Sequence, residues 1–167
     1  MATGKQNTKV FFVQGGKKLK VEAGGVIELA DTTCLNVGGS GGSLVLSVAA
    51  KPTLAQLNAG YELVPAVAGK QILVTEYWFR GIGSDAAAAT DVRIQDSAGS
   101  PVVVVTALIA ALASNAEVSS FSKIANVTKG AGWLTALTAG KALNLVKTGS
   151  TMTGPTSFEV LVRYKLV

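Results

Sequence analysis

The stretch Phe158-Glu159-Val160-Leu161-Val162-Arg163-Tyr164-Lys165-Leu166 decides the fold class. Phe158, Val160, Val162, Tyr164 and Leu166 recur at every second position, with Glu159, Arg163 and Lys165 on the opposite side. Side chains of an extended chain point alternately to its two faces, so this period makes a strand with one apolar side. Upstream, residues 71–80 are rich in β-branched and aromatic side chains and contain no proline or glycine, which predicts a central strand. Strict alternation places Ile72, Val74 and Trp78 on one face and Leu73, Tyr77 and Phe79 on the other. Both faces are apolar, as expected where a second sheet covers one side and a neighbouring subunit the other. Leu73, Tyr77 and Phe79 are therefore the candidate subunit interface.

The same patterns extend along the chain. Residues 91–96 alternate and run into Ser97-Ala98-Gly99-Ser100-Pro101, a turn by composition. Residues 102–105 are β-branched and extended, whereas residues 106–116 admit either strand or helix. Residues 141–146, followed by the glycine- and threonine-rich residues 149–155, are the expected hairpin partner of the closing strand. Residues 51–57 read as a single short helix with proline near its start. Strands separated by turns about every ten residues predict an all-β protein, either a sandwich or a jelly roll.

The first fifty residues differ from the rest. Lys5, Lys9, Lys17, Lys18 and Lys20 precede Glu22 with no acid among them, while later charges nearly balance. Short alternating bursts (10–13, 18–22 and 26–30) are punctuated by glycine pairs and are too short to form a stable sheet alone. Residues 1–50 are thus expected to be an N-terminal attachment arm and residues 51–167 the sandwich body, with the run Gly38–Ser43 part of a hinge. A lysine-rich arm suits an acidic surface. Nucleic acid is not expected as a partner, because arginines are few and no recognisable binding motif is present. Nor is a membrane: the longest apolar run, Val102–Ala113, spans about twelve residues against about twenty for a spanning helix. The polar start, Met1–Lys9, offers no secretory signal.

Reactive groups are scarce. The 167 residues include no histidine, one cysteine and ten carboxylates, against 49% hydrophobic residues. Histidine-based triads are thereby excluded, and Cys34 has no base beside it in sequence. Asp91 and Asp96 could in principle form a carboxylate pair and, with Asp85, a calcium site. Their spacing fits no calcium loop, and a solvent-facing role is the expectation for Asp91 and Asp96. Trp78 is expected to pack in a core or interface, while Trp133 follows Gly130-Ala131-Gly132 and suits either packing or stacking on a sugar. No catalytic residue, cofactor or metal is expected, so the protein is read as a non-enzyme.

The segments Leu63-Val64-Pro65-Ala66-Val67-Ala68-Gly69-Lys70-Gln71-Ile72-Leu73-Val74, Leu137-Thr138-Ala139-Gly140-Lys141-Ala142-Leu143-Asn144-Leu145 and Phe158–Tyr164 together resemble the small jelly-roll proteins of tailed bacteriophages that decorate or cement the capsid, head-fibre proteins included. The resemblance covers roughly residues 60–167 and rests on pattern, without an invariant motif. It implies a body that is a jelly-roll-type antiparallel β-sandwich, and a homotrimer on the outer capsid surface of a virion, stabilising the head, with the major capsid protein as partner. The arm then supplies the candidate capsid contacts: Lys5, Lys9, Lys17, Lys18 and Lys20 for acidic patches, with Phe11 and Phe12 as anchors. A competing expectation is a receptor- or glycan-binding fibre module in which loop aromatics such as Trp133 meet a host surface. An enzyme using Tyr, Arg, Lys and carboxylates, and a major capsid subunit, fit less well.

Overall fold

The computed structural model describes residues 45–121 and 125–167, together with the backbone of residues 10–12 and 19–21. The chain divides into two units, residues 1–42 and residues 43–167. In the first, strands β1 (Val10–Phe12) and β2 (Leu19–Val21) pair antiparallel, with Phe11 opposite Lys20. The second holds β3 (Leu46–Ala50), helix α1 (Leu54–Ala59), β4 (Tyr61–Val64), β5 (Ile72–Asp96), β6 (Val103–Leu108), β7 (Glu117–Ser119), β8 (Val127–Lys129) and β9 (Leu143–Leu166). The all-β class is what the structure shows: the body is one seven-stranded antiparallel sheet with a single short helix among the described residues. Strand β3 pairs with β9, so residues 46–50 belong to the body sheet.

Two strands of 25 and 24 residues, β5 and β9, pair over nearly their whole length, from Ile72 opposite Leu166 to Asp96 opposite Leu143. This corrects two sequence expectations. Residues 71–80 and 91–96 are limbs of one strand, and residues 141–146 are not the hairpin partner of the closing strand but lead into it as one continuous strand. The glycine-rich stretch 149–155 bends the chain without reversing it. Register slips at Ile82/Gly83, Gly83/Ala87, Ala87/Ala89 and Ala89/Asp91 insert extra residues there, and such bulges bend and twist a ladder. Gly154 shows why the bend needs glycine: its φ is +106°, and a Cβ there would overlap the Asp85 carbonyl oxygen.

Each limb of the ribbon collects its own partners. The limb of Ile72–Ile82 and Ser157–Leu166 carries β3 outside β9 and β7 outside β5. The limb of Asp91–Asp96 and Leu143–Thr148 carries β4 outside β9, with β6 and then β8 outside β5. Buried side chains from both limbs form one cluster, including Val74, Tyr77 and Phe79 from the first and Val92, Ile94, Leu143 and Leu145 from the second. The expected alternation of the closing strand holds, with Phe158, Val160 and Val162 buried. The ambiguous stretch 106–116 resolves into the end of β6 and a single 3-10 turn, Ile109–Ala111.

Helix α1 forms where expected and is pinned at both ends. Thr53 and Gln56 make a reciprocal capping box, and Leu57 is fully buried. The Asn58 side chain donates to the Met152 carbonyl at 3.1 Å and accepts from the Met152 amide at 2.8 Å, which ties the helix to the bend of β9.

Asp96 closes the other end of the body. It is 1% exposed, and its carboxylate accepts from the amides of Ala98, Val102 and Thr138. One side chain thus organises the turn after β5 and anchors the crossing segment that also bonds Ile72 through the Leu137 amide. The solvent-facing expectation for Asp96 is wrong because a buried turn needs an acceptor for its amides. Burial alone would raise its pKa, but the bonds from Thr138, Val102 and Ala98 outweigh burial and hold it below the usual 3.8. A lowered folded-state pKa means that the stabilisation is complete above about pH 4 and fades as pH falls through the folded value. Asp96→Asn should cost about 1–3 kcal/mol in urea unfolding at pH 7 and flatten the loss of stability at acid pH. Gly154→Ala should cost about 2 kcal/mol or more in the same assay.

Candidate functional site

The most feature-rich surface of the body is the outer face of the limb β3-β9-β5-β7. Its composition follows from a bulge at Thr75. Val74 lies opposite Tyr164 and Glu76 opposite Arg163, so Thr75 is an extra residue in β5. One inserted residue exchanges the faces of everything after it. Ile72 and Val74 point inward before the bulge, and Tyr77 (1% exposed) and Phe79 (0% exposed) point inward after it. The candidate interface is therefore corrected. Tyr77 and Phe79 are core residues of the single chain, and of the three only Leu73 remains partly exposed. Trp78 goes to the outer face.

Register then lays out the outer face in three rows across four strands. The first holds Lys51, just past β3, then Glu159, Arg80 and Glu117. These charges alternate in sign and touch in turn: Lys51 Nζ to Glu159 at 3.3 Å, Arg80 to Glu159 at 2.9 Å, and Arg80 to Glu117 at 3.8 Å. The Arg80 guanidinium and the Lys51 ammonium hold the Glu159 carboxyl below its usual pKa. The second row is Ala49, Leu161, Trp78 and Ser119. Ala49, Leu161 and Trp78 of this row line an open depression of about 430 Å³, with Lys51 and Glu159 of the first row at its border, and the Arg80 guanidinium lies 5.4 Å from the Trp78 ring centre. The third row holds Ser47, Arg163 and Glu76, the last two paired at 2.9 Å.

Phe121 completes the third row. The Ser120 amide donates to the Tyr77 carbonyl, which carries the β7 ladder one residue past Ser119. Val118 and Ser120 point inward, at 0% and 5% exposure, so alternation turns Ser119 and Phe121 outward. Phe121 is 80% exposed and stands level with Glu76. Sequence reading missed Phe121 and the charged row, because neither has a local signal. They become a surface only through pairing.

Other singled-out residues have structural surroundings. Trp133 packs edge-on against Tyr77, ring centres 5.0 Å apart at 80°, and Lys129 Nζ lies 4.9 Å from its ring centre. Asp91 is 3% exposed, contrary to the solvent-facing expectation, because Arg93 grips it through two bonds of 2.9 Å and Thr148 donates at 2.8 Å. Asp85 accepts from the Ser114 amide at the bend. These carboxylates serve separate parts of the fold, and no metal-ligating group of three His, Cys, Asp or Glu occurs among the described residues. Phe11, Phe12 and Lys20 lie in the paired backbone of β1 and β2, while Lys5, Lys9, Lys17, Lys18 and Cys34 fall outside the described residues, as does the expected hinge run 38–43.

No family model, curated protein or solved structure matches the chain.

The Tyr77 hydroxyl is buried without a hydrogen-bond partner among the described residues, and burial raises its pKa. Tyr77→Phe removes that unsatisfied group and keeps the ring against Trp133. It should leave stability unchanged or raise it by about 1 kcal/mol in urea unfolding, whereas Tyr77→Ala should lose about 3–5 kcal/mol.

Proposed function

We propose that the protein is a virion structural protein that binds the outer surface of a tailed-bacteriophage capsid as a decoration or cement protein, stabilising the head as a homotrimer. The observation that carries the proposal is the division of the chain into a short lysine-rich unit with a two-stranded pairing and a separate all-β body. A structural role in a shell asks for a rigid outward body and a contact segment, and it asks for no chemistry. The bent β5–β9 ribbon supports the first requirement. An antiparallel ribbon folded over on itself is also the element from which a jelly roll is wound, and that winding is part of the proposal. The five lysines of the arm support the second, since they would meet an acidic shell through contacts that salt screens.

The experiment is co-sedimentation of the full chain with purified heads of the phage that encodes it. Deleting residues 1–22, or changing Lys5, Lys9, Lys17, Lys18 and Lys20 to Gln together, should abolish pelleting, and wild-type binding should weaken as salt rises. Undiminished binding by both variants would refute the arm as the contact. Bound heads should rupture at a higher temperature than bare ones. Light scattering of the full chain should give a mass divisible by three times the 17.0 kDa of one chain.

A further inference from the structure

We propose that the outer face of the β3-β9-β5-β7 limb is a two-fold contact between two copies of this chain. The inference concerns the body and holds whether or not the capsid reading does.

A two-fold axis running parallel to the strands, between two such faces, reverses the order of the strands. It leaves the level along the strands unchanged. Each row then meets its own reverse in the partner. In the first row Lys51 comes opposite a Glu117 and Glu159 opposite an Arg80, every pairing between unlike charges. In the third row Arg163 comes opposite a Glu76, again unlike. The middle row places Leu161 opposite a Trp78 and Ala49 opposite a Ser119.

Shape follows the same rule. Phe121 stands beyond Glu76 on the β7 side, and under the axis it arrives over Ser47 on the β3 side. Ser47 is small and exposed, as is Ala49 one row away, which lines the depression. The single face thus carries a knob at one edge and small side chains at the other, and one operation brings each knob over the other's small residues. Self-complementarity of one patch is the defining property of an isologous interface. A ring formed head-to-tail would set this face against a different surface and would not use this match of the three rows.

Three variants and a mass measurement test the contact in the full chain, by light scattering and sedimentation equilibrium between about 1 and 100 µM. The wild type should have twice the mass of one chain, or six times if threefold association also holds. A mass of one or three chains at the highest concentration would overturn the two-fold contact, and three chains would leave the trimer standing. Phe121→Ser should weaken association at least tenfold with an unchanged circular dichroism spectrum, since the side chain is 80% exposed in the single chain. An unchanged dissociation constant would overturn the proposal.

A charge exchange adds a readout that folding alone would not move. Glu117→Lys should weaken association, because it sets like charges opposite each other across the axis. Adding Lys51→Glu should restore it. Lys51 and Glu117 sit at opposite ends of a four-strand row, roughly 14 Å apart by strand spacing, so they cannot rescue each other within one chain. Within a chain the double variant is worse, because it puts like charges beside Glu159 and Arg80. Association of the double variant as weak as that of Glu117→Lys would count against the two-fold contact.

Discussion

The rest of the body depends on the pairing of β5 with β9. β3, β4, β6 and β7 each pair directly with one of these two strands, and both limbs of the core hang from them. Their hydrogen bonds close contacts between residues as far apart as Ile72 and Leu166, so the chain must bring distant segments together before most of its sheet can form. The bend in the ribbon then turns one long sheet into two limbs whose inner faces share a single apolar cluster. Without the bend, the same ladder would be an open sheet with one face exposed.

Polar side chains hold the ends and the corner of this ribbon. Asp96 gathers three amides at one end, and Asn58 fastens α1 to the bend at Met152. Both replace water around backbone groups that a tight turn or a bulge leaves unpaired. Scarcity of charge in this chain therefore does not mean that its charges are idle. Asp91 and Asp96 are spent inside the fold, and most of the described ion pairs lie on one outer face.

That outer face connects architecture to association. Its charges alternate across strands because Lys51, Glu159, Arg80 and Glu117 come from four separate segments brought level by register. Ion pairs so exposed add little to the stability of one chain. Their arrangement matters more for what can approach, since like charges set opposite each other reject a misaligned partner. In the reading proposed above, the lysine-rich N-terminal segment would meet an acidic shell and the patterned body face another copy of the chain.

By itself, the sequence determined the all-β class, the inward face of Phe158, Val160 and Val162, the short helix near Pro52 and the turn after Asp96. Each is a local matter of period or backbone preference, and period two survives wherever no residue is inserted. Tertiary structure decided the rest. The Thr75 bulge adds one residue that no composition marks, and by that addition it moved Tyr77 and Phe79 into the core and Trp78 out of it. The glycines at 149 and 154 read as a loop between two strands, yet the facing strand continues past them, so they bend one strand. Asp91 and Asp96 look solvent-facing in a strand of alternating polarity, but their burial as acceptors is completed by distant groups, Thr148 for Asp91 and the amide of Thr138 for Asp96. The patterned outer face has the same origin: it is written in register between distant strands, and register is a property of the folded sheet.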